Sequence, residues 1–143
     1  MVKNLRIYSK QDIKKRTVHK LIILLKKELN FTINNLEISF VNSADIIQVN
    51  REYLKHKNST DIITFDYAKL NSSLEGEIII SYDDALYNSK RFRTSINAEL
   101  LRLIIHGVLH LLGYKDKKSN ERRAMKLKED LLTHKYKFLA KEM

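Results

Sequence analysis

LRLIIHGVLHLLGYKD, residues 101–116, is the stretch from which the rest of the chain can be read. Nearly every residue between Leu100 and Leu112 is apolar, which suits a core helix over Asn97 to Leu112 buried on most sides. His106 and His110 interrupt the run four residues apart. Their imidazoles therefore leave one helical face a turn apart, the spacing of two ligands on one metal. Two polar rings in so apolar a helix each need a partner, and one ion serves both. Gly113 is placed to end the helix in the left-handed region. Asp116 falls in the turn that follows, where its carboxylate can reach back to the histidine face as a third protein ligand. A catalytic zinc keeps its fourth position open for water. His106, His110 and Asp116 are thus the candidate metal ligands.

The spacing matches the metzincin protease pattern H-E-x-x-H-x-x-G-x-x-H at both histidines and at the glycine. It departs at two places. Gly107 stands where such a protease carries the glutamate that deprotonates water, and Asp116 replaces the third histidine. Glycine inside a helix costs about 1 kcal/mol relative to alanine. The chain has only three glycines, so Gly107 implies a close approach, expected from the backbone of a neighbouring strand.

Residues His106-Gly107-Val108-Leu109-His110-Leu111-Leu112-Gly113-Tyr114 resemble the YbeY-type endoribonucleases of bacterial ribosomal RNA maturation, whose hallmark is H-G-x-L-H-L-x-G-Y-D-H. The match runs through Tyr114, after which the family's Asp-His is Lys115-Asp116. Asn50, Arg51, Tyr53, Thr60, Asp61 and Phe65 match a second family segment, and Gly76 to Ser81 parallels its G-D-I-x-I-S. Leu54 stands where the family has a phosphate-contacting arginine, so Arg51, Lys55 and Lys57 are the candidate substrate cations. The resemblance implies a zinc-dependent, single-strand-specific endoribonuclease with one Zn2+ per chain. It also implies a role in 16S maturation and ribosome biogenesis, with ribosomal RNA and the small ribosomal subunit as partners. No catalytic residue is assigned beyond the metal centre.

The bulk composition sets outer limits. At 143 residues the chain reads as one domain, residues 1–143, able to bury roughly two thirds of its unfolded surface. It has no cysteine, which leaves histidine and carboxylate as its metal-ligand chemistry. No apolar run approaches the ~20 residues of a membrane span, and the N-terminus has no signal-like apolar segment, so a cytoplasmic location is expected. The net charge of +10 suits a polyanionic partner. Lysine-rich, proline-free composition also fits an AT-rich genome, so charge alone does not name the partner.

The remaining segments alternate strands and helices. Asn4–Ser9 reads as a short strand, and Ser9 is expected to cap a helix with Val18, Leu21, Ile22, Leu25 and Leu29 inward and His19 at its boundary. Leu36–Val41 reads as a strand with Ile38 and Phe40 on one face. Ser43 is expected to cap a helix from Ala44 to Leu54 with Ile46, Val49 and Tyr53 inward. Strands follow at Ile62–Phe65 and Gly76–Ser81. Ser81 then caps a helix with Asp83 and Asp84 in its first turn, and Lys90, Arg91 and Arg93 lead into the histidine helix. A last helix from about Ser119 to Lys137 is expected to turn Ala124, Leu127 and Leu131 inward, with His134 near its end. The order gives an α+β domain, a small mixed sheet with helices packed on it. Two other functions fit the same residues: a non-catalytic RNA-binding assembly factor with a structural metal, and a metzincin-like zinc protease, which the missing glutamate at Gly107 opposes.

Overall fold

A computed structural model describes residues 2–54, 60–68 and 72–143. Its elements are β1 (Leu5–Ser9), α1 (Lys15–Leu29), β2 (Thr32–Val41), α2 (Ser43–Val49), β3 (Ile62–Asp66), β4 (Ser73–Ser81), α3 (Tyr82–Arg91), α4 (Ile96–Leu111) and α5 (Ser119–Tyr136). A π-helical turn, Asn50–Leu54, extends α2, and a 3-10 turn, Lys137–Glu142, follows α5. The sheet order is β1-β2-β4-β3. β1 and β4 run parallel to β2, and β3 pairs antiparallel to β4 at the edge. This is the α+β architecture with a mixed sheet that the order of elements implied.

Side chains alternate across the sheet with period two. Leu36, Ile38 and Phe40 of β2 and Leu74, Ile78 and Ile80 of β4 are fully buried on the face that receives α4. α4 lies against that face at Gly107, where a Cβ would meet Ile78 Cδ1 and Cγ2 at 2.9 Å. The close approach expected at Gly107 is therefore real, but its partner is a β-branched side chain rather than a backbone. Gly76 has a backbone reason of its own, since a Cβ there would stand 2.3 Å from the carbonyl oxygen of Phe65.

Several local expectations give way to tertiary contacts. α1 starts at Lys15, not behind Ser9, whose hydroxyl instead closes a turn with the backbone of Gln11. The start of α1 is held by the far end of the chain: Lys14 N–H donates to Met143 O at 3.1 Å and Thr17 Oγ1 to Glu142 O at 2.7 Å. Asn42, not Ser43, caps α2 by accepting from Asp45 N–H. The π-helical turn that extends α2 is wider than an α turn, so Asn50 faces in and Tyr53 is 67% exposed. His19 is buried rather than at the boundary, and accepts from Val2 N–H at 3.2 Å. α5 buries Met125, Glu129, Leu132 and Tyr136. Leu127 and Leu131 are exposed, so the inward face of α5 differs from the expected one. Among the described residues, no helix is long and apolar enough to cross a membrane.

Candidate metal centre

Ser95 opens α4 by accepting from Ala98 N–H at 3.0 Å. Leu100, Leu101, Leu103, Ile104, Ile105, Val108, Leu109 and Leu111 are buried around it, which leaves His106 and His110 half-buried on the remaining face. The helix ends as Gly113 was expected to end it. Gly113 has φ 104°, its N–H donates to His110 O, and Tyr114 N–H reaches back to Leu109 O. That pair of bonds is the Schellman arrangement. It turns Lys115 and Asp116 back along the histidine face.

The sequence reading did not find what stands behind His106. Its Nδ1 lies 2.5 Å from Glu129 Oε1 on α5. Arg102 Nη1 donates to the other oxygen of Glu129 at 2.9 Å, while Nε and Nη2 grip Glu99 at 2.8 Å each. Glu99 and Glu129 are 4% and 2% exposed. Burial by itself pushes the Glu129 carboxyl up, but the His106 hydrogen bond and the Arg102 charge outweigh it and hold it below the usual range. Arg102 thus bridges two buried carboxylates, and His106 takes the remaining oxygen of Glu129. An ionised carboxylate only accepts, so Nδ1 is the donor in this bond, and Nε2 is the ring nitrogen not engaged by Glu129. A metal-ligating histidine is fixed in this way.

A second carboxyl borders this network. Asp61, just before β3, accepts from Asn88 Nδ2 at 3.2 Å. Burial pushes its carboxyl up, opposed first by Arg102, and it lies within electrostatic reach of His106.

Two clefts open beside the histidines. One, of about 390 Å³, is lined by Arg102, His106, Asp116, Arg122, Met125, Lys126 and Glu129. The other, of about 400 Å³, is lined by Asp66, His110, Gly113, Tyr114, Lys115, Asp116 and Lys117. Asp116 is common to both and is exposed on their shared rim. Among the described residues, no three His, Cys, Asp or Glu side chains stand close enough to hold one ion. The two imidazoles stand a helical turn apart on α4, each in its own cleft, and Asp116 borders both clefts without closing on either histidine. Arg51 is exposed on the π-helical turn and lines neither cleft. Lys55 and Lys57 lie outside the described residues.

Fold and site together define a class: an α+β protein whose central helix offers two imidazoles to adjoining clefts, one of them anchored by a buried carboxylate. The family model described as Endoribonuclease YbeY matches residues 3–137, and the chain belongs to that family. Proteins named Endoribonuclease YbeY are similar to it over most of its length. The one from Bacteroides fragilis is 41% identical over 119 residues, 83% of this chain and 85% of that protein. The one from Chlorobium phaeobacteroides is 35% identical over 133 residues, 92% of this chain and 93% of that protein. Among solved structures, the solution structure of TM1509 from Thermotoga maritima superposes with a TM-score of 0.65 at 26% identity, covering 90% of this chain and 86% of that one.

Proposed function

We propose that this chain is a metal-dependent endoribonuclease that cuts single-stranded RNA in the maturation of small-subunit (16S) ribosomal RNA, and that it works in the cytoplasm. The names of its relatives support the reaction. The observation that carries the metal reading is the short bond between His106 Nδ1 and the buried Glu129, which is the support a metal ligand needs and a surface histidine does not. His106, His110 and Asp116 would hold one Zn2+, Asp116 by a movement of its exposed loop. When bound, the ion supplies Lewis-acid activation of water and of the phosphoryl group.

The chain's own residues do the rest. Glu129 keeps the proton on Nδ1 and Arg102 keeps Glu129 ionised. Gly107 leaves no base on α4 at the position where a zinc protease has one, and no catalytic residue is assigned beyond the metal centre. Arg51, Lys55 and Lys57 retain their proposed role as phosphate contacts in place of the arginine that Leu54 replaces.

The test is cleavage of a labelled unstructured RNA by the purified protein. The reading expects cleavage that a chelator stops and zinc restores, and that His110→Ala abolishes while RNA binding survives. Binding to RNA and to small-subunit particles without cleavage at high protein concentration would favour the assembly-factor reading.

A further inference from the structure

The stretch from Lys115 to Lys128 carries seven of the chain's cations against two acids, a net +5 and half of the total. Its placement is what matters. Lys115 and Lys117 line the cleft beside His110, and Arg122 and Lys126 line the cleft beside His106. Arg122 and Lys126 also border a third groove, of about 540 Å³, that Arg123 joins on the outer side of α5. The cleft beside His106 shares Asp116 with the cleft beside His110 and shares Arg122 and Lys126 with the outer groove, so the three form one track past both histidines.

Helix stability does not explain these cations. Arg122 and Arg123 stand within the first five residues of α5, where the positive end of the helix disfavours cations. Arg122 and Lys126 are like charges four apart, which are mutually unfavourable. Ion pairing accounts for few of them. Among the described residues Lys115, Lys117 and Arg123 form no ion pair, and Arg122 donates to the carbonyls of Asp116 and Lys117 rather than to an acid. Lys126 meets Asp130 at 2.8 Å and Glu129 at 3.9 Å. Arg122 thereby ties the track to the loop that carries Asp116.

Resting on the nuclease reading, we propose that the loop from Lys115 to Lys118 and the first half of α5 are the path of the single-stranded RNA backbone across the site. Their cations add phosphate contacts along the strand to those assigned to Arg51, Lys55 and Lys57. The partner is a flexible polyanion bound by phosphate, because the track presents a row of ammonium and guanidinium groups.

The experiment is fluorescence anisotropy of a labelled 2′-O-methyl oligouridylate titrated with full-length protein over a range of salt, with chelator present. The proteins compared are wild type, Arg123→Gln/Lys126→Gln, Lys115→Gln/Lys117→Gln, and the charge-matched control Lys15→Gln/Lys27→Gln on α1. Each neutralised phosphate contact lowers the slope of log K against log salt by about 0.7 for a single strand. Each track pair is therefore expected to reduce the slope by about 1.4 and to weaken binding at low salt, with the control unchanged. Urea midpoints should be unchanged or higher in the Arg123→Gln/Lys126→Gln pair. Equal losses in track and control variants, unchanged slopes in the track variants, or no binding by the wild type would each overturn the proposal. Retained slope changes with no RNA cleavage in the assay above would remove the nuclease reading and leave the track in place.

Discussion

Gly107→Ala should destabilise a protein in which the substitution would ordinarily help. In an exposed helix interior the change is worth about 1 kcal/mol of stability. Here the new methyl would lie 2.9 Å from Ile78 Cδ1 and Cγ2 and 3.1 Å from Cγ1, well inside the ~3.5–4.0 Å of a normal carbon contact. Ile78 has little room to yield: it is fully buried, paired with Ile38 on one side and Thr64 on the other, and stiff at χ1. Overpacking of this kind costs about 1–3 kcal/mol, so the net expectation is a loss of about 0–2 kcal/mol. The sign becomes decisive in a double-mutant cycle. Ile78→Ala removes all three crowding atoms at a cost of about 2–5 kcal/mol. In that background Gly107→Ala should stabilise by about 1 kcal/mol, giving a coupling of about 1–3 kcal/mol. Urea unfolding followed by far-ultraviolet circular dichroism measures all four corners. Stabilisation by Gly107→Ala in the wild type, with no coupling to Ile78, would refute the packing of α4 on β4 and with it the positions of both histidines.

Three further outcomes follow from particular contacts. Glu129→Gln keeps the shape but removes the charge behind His106, and zinc affinity should fall about 10–100-fold in a competition titration against a chromophoric chelator; an unchanged affinity would detach Glu129 from the metal. Gly113→Ala places a Cβ on a residue with φ 104° and should lower the urea-derived stability by about 1–3 kcal/mol, with a matching loss of zinc affinity because the Asp116 loop starts there. Burial lowers the pKa of His19, so the unfolded chain takes up a proton that the folded one refuses. Stability should therefore fall as pH drops below about 6.5, by at most about 1.4 kcal/mol per pH unit. His19→Gln keeps an acceptor for Val2 N–H and should flatten that slope, while a slope equally steep in the variant would place its origin elsewhere.

The part of the site that was legible is the part built by local geometry. Two histidines four apart in an apolar run, closed by a glycine, can only share a face of one helix, and α4 and its Schellman end match that reading. The alternation of Leu36 to Val41 likewise placed Ile38 and Phe40 in the core. What escaped depends on contacts between distant segments. The inward row of α5 includes Glu129, which a hydrophobic pattern scores as a surface residue, so the row through Ala124, Leu127 and Leu131 looked better. Glu129 becomes a core residue only because Arg102 and His106 of α4 meet it. The spacing Glu99, Arg102, His106 on one face, opposite Met125, Glu129, Leu132 and Tyr136, was the available signal. The start of α1 was hidden for the same reason, since its first hydrogen bonds come from Glu142 and Met143. Tyr53 was misplaced by a π-helical turn that a 3.6-residue period does not anticipate.

The most direct measurement is calorimetric titration of zinc into metal-free wild type, His106→Ala, His110→Ala and Asp116→Ala. One tight site per chain is expected in the wild type, lost in both histidine variants and at least about 10-fold weaker in Asp116→Ala. No tight site in the wild type, or binding in the histidine variants equal to the wild type, would contradict a metal centre on α4. Wild-type affinity in Asp116→Ala would leave the two histidines in place and require a different third ligand.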